Sequence, residues 1–109
     1  MTIALSSSRL VVDDFGAAQE YFHERGWTDG LPIVPPTPDA VAACLEWAMI
    51  PPDQLIGIEP VRGQAITAEK IAVNAVMAGC LPMHFPVVAT AWAAMLEEEF
   101  LLHGATAST

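Results

Sequence analysis

Apolar residues recur at helical spacing in four places along this chain, and prolines punctuate the intervals between them. The first place begins at Asp13, a natural N-cap, and extends to about Arg25. Phe15, Ala18 and Phe22 fall three and four residues apart there and form one apolar stripe. Gly26 follows, where a left-handed residue would end the helix. The stretch "GWTDGLPIVPPTPDA" then interrupts the pattern. Its prolines between Pro32 and Pro36 preclude a helix, because proline lacks the N–H and restricts its predecessor. Thr37 caps a second predicted helix, with Pro38 at its first position and Asp39 near its positive end. That helix runs to about Ala48 and is ended by Pro51 and Pro52.

A short strand is predicted at Leu55–Glu59. Thr67 caps a third helix that carries Glu69 in its first turn, runs to Ala78 and stops at Gly79. A fourth starts between Pro82 and Pro86 and continues to Phe100. Residues 1–12 read as an extended arm, flexible at Ser6–Ser8 and with a possible short strand at Arg9–Val12. The expected fold is therefore mainly α with short extended segments: about four short helices joined by proline-rich connectors. Residues 13–109 form a single small helical domain.

Composition changes this picture in one respect. Hydrophobic residues make up 53% of the 109 residues and charged residues only 16%, against a usual charged share of about 25%. A small domain has much surface to cover, so part of this one is expected to be buried against a partner chain. Acids outnumber bases thirteen to four, for a net charge of −9. Nucleic-acid binding needs cationic side chains that replace counterions. Arg9, Arg25, Arg62 and Lys70 are too few and too scattered for that, and an anionic membrane surface is disfavoured on the same ground. The most apolar segment, Leu81–Leu96, is interrupted by Pro82, His84 and Pro86 and falls short of the ~20 residues of a membrane span. The start, "MTIALSSSRL", lacks the form of a signal peptide. Two cysteines in apolar contexts suit reduced thiols in a cytoplasm.

Candidate chemistry concentrates in "NAVMAGCLPMHFPVV", Asn74–Val88. Cys80 follows Gly79 between two predicted helices, where the start of the next helix would favour its thiolate. Free cysteine is also among the most buried residue types, so packing is the competing reading. Cys44, within the second helix, reads as packing. His84 lies four residues after Cys80 and would serve it as a base. Thr67, Lys70 and Asn74 share one face of the third helix. Lys70 would hold an anionic group or stabilise developing negative charge, or else Glu69 and Lys70 are ordinary surface charges. Asn74 must find hydrogen bonds, from substrate or from the fold. Met77, Met83, Phe85, Trp92 and Met95 read as core or interface. No metal site is expected, because no His or Cys pair has a recognised ligand spacing, and no glycine-rich phosphate loop is present. No cofactor is expected.

The blocks "GWTDGLPIVPPTPDAV", "AITAEKIAVNAVMAGCLP" and "FLLHGAT" resemble a family of bacterial proteins of unassigned function, marked by GWTDGLPxVPPT and NAVMAGCxP and loosely associated with the UGSC (seleno)protein family. The resemblance covers about residues 20–109 and corresponds to the N-terminal part of those proteins, which continue past "HGATAST". It implies functional positions at Trp27, Asp29 and His103, beside Cys80 and Asn74. Trp27 would line an apolar pocket or seal the core, Asp29 would brace its turn, and His103 would complete a site with another subunit. The early end at Thr109 implies a split gene, with processing and an artificially shortened chain as alternatives.

The expectation is thus a small subunit of a hetero-oligomeric cytoplasmic enzyme. It would act with a larger protein subunit as a hydrolase or lyase on a small apolar or aromatic molecule, at an inter-subunit cleft. Cys80, His84 and Lys70 would be the catalytic contributions, and Asn74, Trp27, Asp29 and His103 would bind substrate. The alternatives are a non-catalytic stabilising subunit and a thiol redox protein using Cys80. For the last, no resolving cysteine lies within easy sequence reach.

Overall fold

Short polar side chains set where the helices begin. In the computed structural model, which describes residues 3–97, helix α1 (Phe15–Glu24) follows Asp14, whose Oδ1 accepts the Ala17 N–H at 2.8 Å. The cap is one residue later than expected, because Asp14 is the extended residue that aims its carboxylate back over the first turn. Helix α2 (Pro38–Ala48) follows Thr37, whose Oγ1 accepts the Ala40 N–H, and Pro38 needs no partner at the first position. Strands β1 (Leu55–Ile58) and β2 (Ala65–Thr67) pair antiparallel, with Ile58 opposite Ala65 and an irregularity between Leu55 and Gly57. The Glu59 carboxylate closes the connecting loop by accepting the N–H groups of Val61 and Arg62. Helix α3 (Ala68–Met77) starts directly from β2. Its first N–H groups go to Gln54 O, Pro52 O and Thr67 Oγ1. A single 3-10 turn, Pro82–His84, leads into α4 (Phe85–Met95).

The fold is mainly α, with four α-helices among the described residues. The helix ends show a shared device. Gly26 accompanies bonds from Gly26 N to His23 O and from Trp27 N to Phe22 O. Gly79 accompanies Gly79 N to Val76 O and Cys80 N to Ala75 O, and Met49 accompanies Met49 N to Glu46 O and Ile50 N to Leu45 O. Each is a left-handed residue that reverses the chain and satisfies two terminal carbonyls. The expected run of the fourth helix to Phe100 is corrected, since α4 stops at Met95. A carboxylate such as Glu97 is unfavourable within a last turn, at the negative end of the dipole. Phe100 itself lies outside the described residues.

Helices α2, α3 and α4 pack on one another around Phe85, Leu45, Val41, Cys44, Ala72 and Ile71. The hairpin leans on α4, where Gly57 lies so close to Leu96 that a Cβ on it would come within 2.8 Å of the leucine Cβ. Helix α1 stands apart, on a smaller cluster of Ala18, Phe22 and Ile33, joined by Tyr21 and Met77. Gln19 holds the proline connector there like a short strand: its Nε2 donates to Ile33 O and its Oε1 accepts Ile33 N–H.

The N-terminal arm departs from expectation. Arg9–Val12 forms no strand. Ser6 and Ser7 are not loose but clasp Glu69. Their N–H groups donate to its carboxylate at 2.6–3.1 Å, and both hydroxyls donate as well. Glu69 is 4% exposed, so it is not the surface charge that its helix-start position suggested. Burial works to raise its pKa, but the bonds from Ser7 and Ser6 outweigh that and hold it below the ordinary carboxylate value. Ile3 and Leu5 pack against the main cluster beside this clasp.

Candidate functional site

The junction from α3 to α4 decides where Cys80 and His84 sit. Gly79, at φ +93°, turns the chain, and the Cys80 N–H is tied back to Ala75 O at 2.9 Å. This places the Cys80 side chain half-buried against the main cluster rather than free in solvent. Pro82 and Pro86 then frame the 3-10 turn and the first turn of α4, where missing N–H groups cost nothing. His84 is exposed, and its Nδ1 accepts the Leu81 N–H at 3.0 Å. In the neutral ring the proton is therefore on Nε2, which is left as a donor. The ring nitrogen that could act as a base is thus used to brace the turn.

Lys70 and Asn74 lie together on the exposed face of α3, as their spacing required. Their polar groups are engaged locally. Asn74 Nδ2 donates to Lys70 O at 2.8 Å, one turn back, and Lys70 Nζ reaches Ala65 O at 3.4 Å. Asn74 is therefore satisfied by its own helix. On the opposite side, Ala68, Ile71, Ala72, Ala75 and Val76 are buried, whereas Ala78 is exposed.

Trp27 and Asp29 lie in the turn that follows α1. Trp27 stacks on Phe22 at 5.8 Å and meets the edge of Tyr21 at 5.6 Å, yet remains 53% exposed. Arg25 lies over the other aromatic member, 5.0 Å from the Tyr21 ring centre. The Asp29 carboxylate faces the Leu31 N–H across 3.5 Å, and Thr28 Oγ1 donates to Leu31 O. Both side chains brace the turn. His103 lies outside the described residues.

A feature that site-by-site reading missed lies between α2 and the 3-10 turn. Ala43, Glu46 and Trp47 on one side and Pro82 and Met83 on the other line an open groove of about 410 Å³. Trp47 is 61% exposed and Met83 57%. The sequence signal was there: Trp47 and Met83 are large apolar residues on a chain short of charge. Which face they occupy depends on how α2 docks on the turn. Cys80 and His84 flank the groove residues Pro82 and Met83 in sequence but are not among its lining, and Trp27, stacked on Phe22, lies with the smaller cluster. Among the described residues, no group of three or more metal-ligating side chains gathers. No helix there is long and apolar enough to cross a membrane.

Cys44, on α2, belongs to the buried part of the cluster on which Cys80 packs. It is fully buried in the main cluster, and its thiol pKa is raised first by burial and then by the charge of Cys80. Comparison with known proteins adds no relative: no protein-family model matches the chain, and neither a curated protein nor a solved structure is detectably similar to it.

Proposed function

We propose that this chain is a small subunit of a hetero-oligomeric assembly and that the groove between α2 and the Pro82–His84 turn is where its larger partner docks. The exposed apolar pair Trp47 and Met83, facing each other across an open groove, carries the reading. An apolar surface that a domain leaves uncovered is most often a contact surface. The charge balance favours a different, more basic chain over a second copy, since two copies at −9 each repel. Glu46 on the groove wall would meet a cationic side chain.

Within such an assembly, Cys80 and His84, next to the groove-lining Pro82 and Met83 in sequence, would contribute to a hydrolase or lyase site for a small apolar or aromatic molecule shared with the partner. The local engagement of Lys70, Asn74 and His84 Nδ1 supports a chain that is inactive alone. Free cysteines fit a cytoplasmic setting. The family resemblance at Gly26–Val41 and Ala65–Pro82 belongs to the same proposal.

The test is capture of the tagged chain from its native cell, followed by native mass measurement. A larger chain in fixed stoichiometry is expected, lost with Trp47→Glu or Met83→Glu and retained with Val61→Glu, which is exposed on the hairpin loop. A chain that comes down alone, or groove variants that keep their partner, would overturn the proposal.

A further inference from the structure

The two cysteines are thirty-six positions apart, 44 and 80, and the fold brings both to the main apolar cluster. Cys44 is on the inner face of α2, beside Val41 and Leu45, and is fully buried. Cys80 is held over the same cluster by its backbone bond to Ala75 and remains half-buried. Helix α2 packs both on α3 and on the turn that follows Cys80. Ala43, one residue from Cys44, shares a groove with Pro82, two residues from Cys80. The Cys44 thiol is pushed up first by its burial and then by Cys80, which agrees with this placement. Cys80 is partly open to solvent and Cys44 is fully buried in the cluster that Cys80 packs against: the arrangement of an attacking and a resolving thiol.

We propose that Cys44 and Cys80 form a peroxide-sensitive dithiol that closes reversibly to a disulfide. Cys80, as thiolate, attacks one oxygen of hydrogen peroxide. The S–O bond forms, the O–O bond breaks, and the departing hydroxide takes up a proton as water. Cys44 then gives up its proton and attacks the sulfenic sulfur of Cys80. The S–S bond forms, the S–O bond breaks, and a second water leaves. In sum, two thiols lose two electrons and one peroxide becomes two waters. A thiol reductant reverses the step. No resolving cysteine is visible along the chain because the partner lies across the helix packing instead. The bridge would tie α2 to the end of α3 directly behind the docking groove. That consequence, though not the disulfide itself, rests on the function proposed above.

The test uses the full chain, folded and reduced, treated with hydrogen peroxide and then with an alkylating quench. Trypsin cleavage after Arg62 and Lys70 puts Cys44 and Cys80 on separate peptides. The expected product is a monomer whose two cysteine peptides are joined, with a mass lower by two hydrogens. It should form on the order of tenfold faster in the folded chain than in urea, because folding has already closed the loop between them. Cys80→Ser should abolish it, and Cys44→Ala should leave a Cys80 sulfenic acid that dimedone traps. Any of three outcomes overturns the proposal: no oxidation, Cys80 driven to sulfinic acid while Cys44 stays alkylatable on unfolding, or a Cys80–Cys80 dimer. The wild-type peptide map decides even if Cys44→Ala fails to fold, and it needs no partner chain. Its failure is therefore distinct from failure of the docking reading.

Discussion

The main cluster and the α1 cluster are built on different principles. The first is closed by side chains from three helices and the hairpin, with Phe85, Leu45, Val41 and Cys44 essentially out of water. The second buries Ala18, Phe22 and Ile33, and depends on a few directional contacts: the two-way Gln19–Ile33 bond, the Val34 N–H to Met77 O, and the Phe22–Trp27 stack. Burial is cooperative and tolerates loss of any single polar contact, whereas a small cluster loses a large share of its support with each one. The α1 region should therefore open first, as a local unit, while the three-helix core sets global stability. The groove and the cysteine pair belong to the first region, and Trp27, stacked on Phe22, to the one that opens.

Six substitutions probe this contrast. Phe85→Ala removes the largest fully buried side chain of the main cluster. It should cost about 3–5 kcal/mol, visible as global loss of cooperative thermal unfolding, while Phe22→Ala lowers protection mainly in α1.

Glu69→Ala leaves the Ser6 and Ser7 donors without their carboxylate and should cost roughly 1.5–3 kcal/mol, with release of the arm seen as faster exchange at Ser6 and Ser7. The pH dependence has a definite sign. Because the folded carboxyl is held below its ordinary value, its contribution is full above that ordinary value. It is lost only as pH falls through the lower, folded value. The serine amide signals should hold through the ordinary glutamate range and move below it. Movement above that range would refute the clasp.

Gly57→Ala puts a methyl against Leu96 and should cost roughly 1–3 kcal/mol by prising the hairpin from α4. A chemical denaturation curve unchanged from wild type would show that the contact yields freely.

Gln19→Ala removes both bonds to Ile33 and should cost about 1 kcal/mol, confined to the α1 cluster. The expected signature is altered Trp27 fluorescence with the main melting transition unmoved.

Met49→Gly should do the reverse. Met49 ends α2 at φ 58°, where an L side chain is strained, and relief should stabilise the core by roughly 0.5–1 kcal/mol. A lower melting temperature would mean that the exposed methionine side chain packs more than its position suggests.

Local devices were legible because they need only neighbouring residues. Thr37, Thr67, Gly26 and Gly79 mark helix ends by their own chemistry, and each acts as read. The Asn74 question was also posed correctly, since a mid-helix amide must find an acceptor and finds Lys70 O. Met49 carried no such mark, because nothing about methionine announces a left-handed cap. Strand β2 was missed for a related reason. Ala65–Thr67 is too short to show alternation, and only its partner β1 makes it a strand. In the candidate site, the sequence could indicate Cys80 and His84. It could not foresee that His84 Nδ1 would be spent on the Leu81 N–H.

Read without coordinates, then, the chain already specifies a mainly helical fold, the starts of its helices, its acidity and its excess of apolar surface. These follow from composition and from interactions within a few residues. The tertiary structure alone settles that Glu69 is buried under the serine arm, that Cys44 and Cys80 share one apolar cluster, and that Trp47 and Met83 line one groove. Each of these joins residues more than thirty positions apart. Such contacts are fixed by how helix faces meet in three dimensions, and no local pattern of residues encodes that.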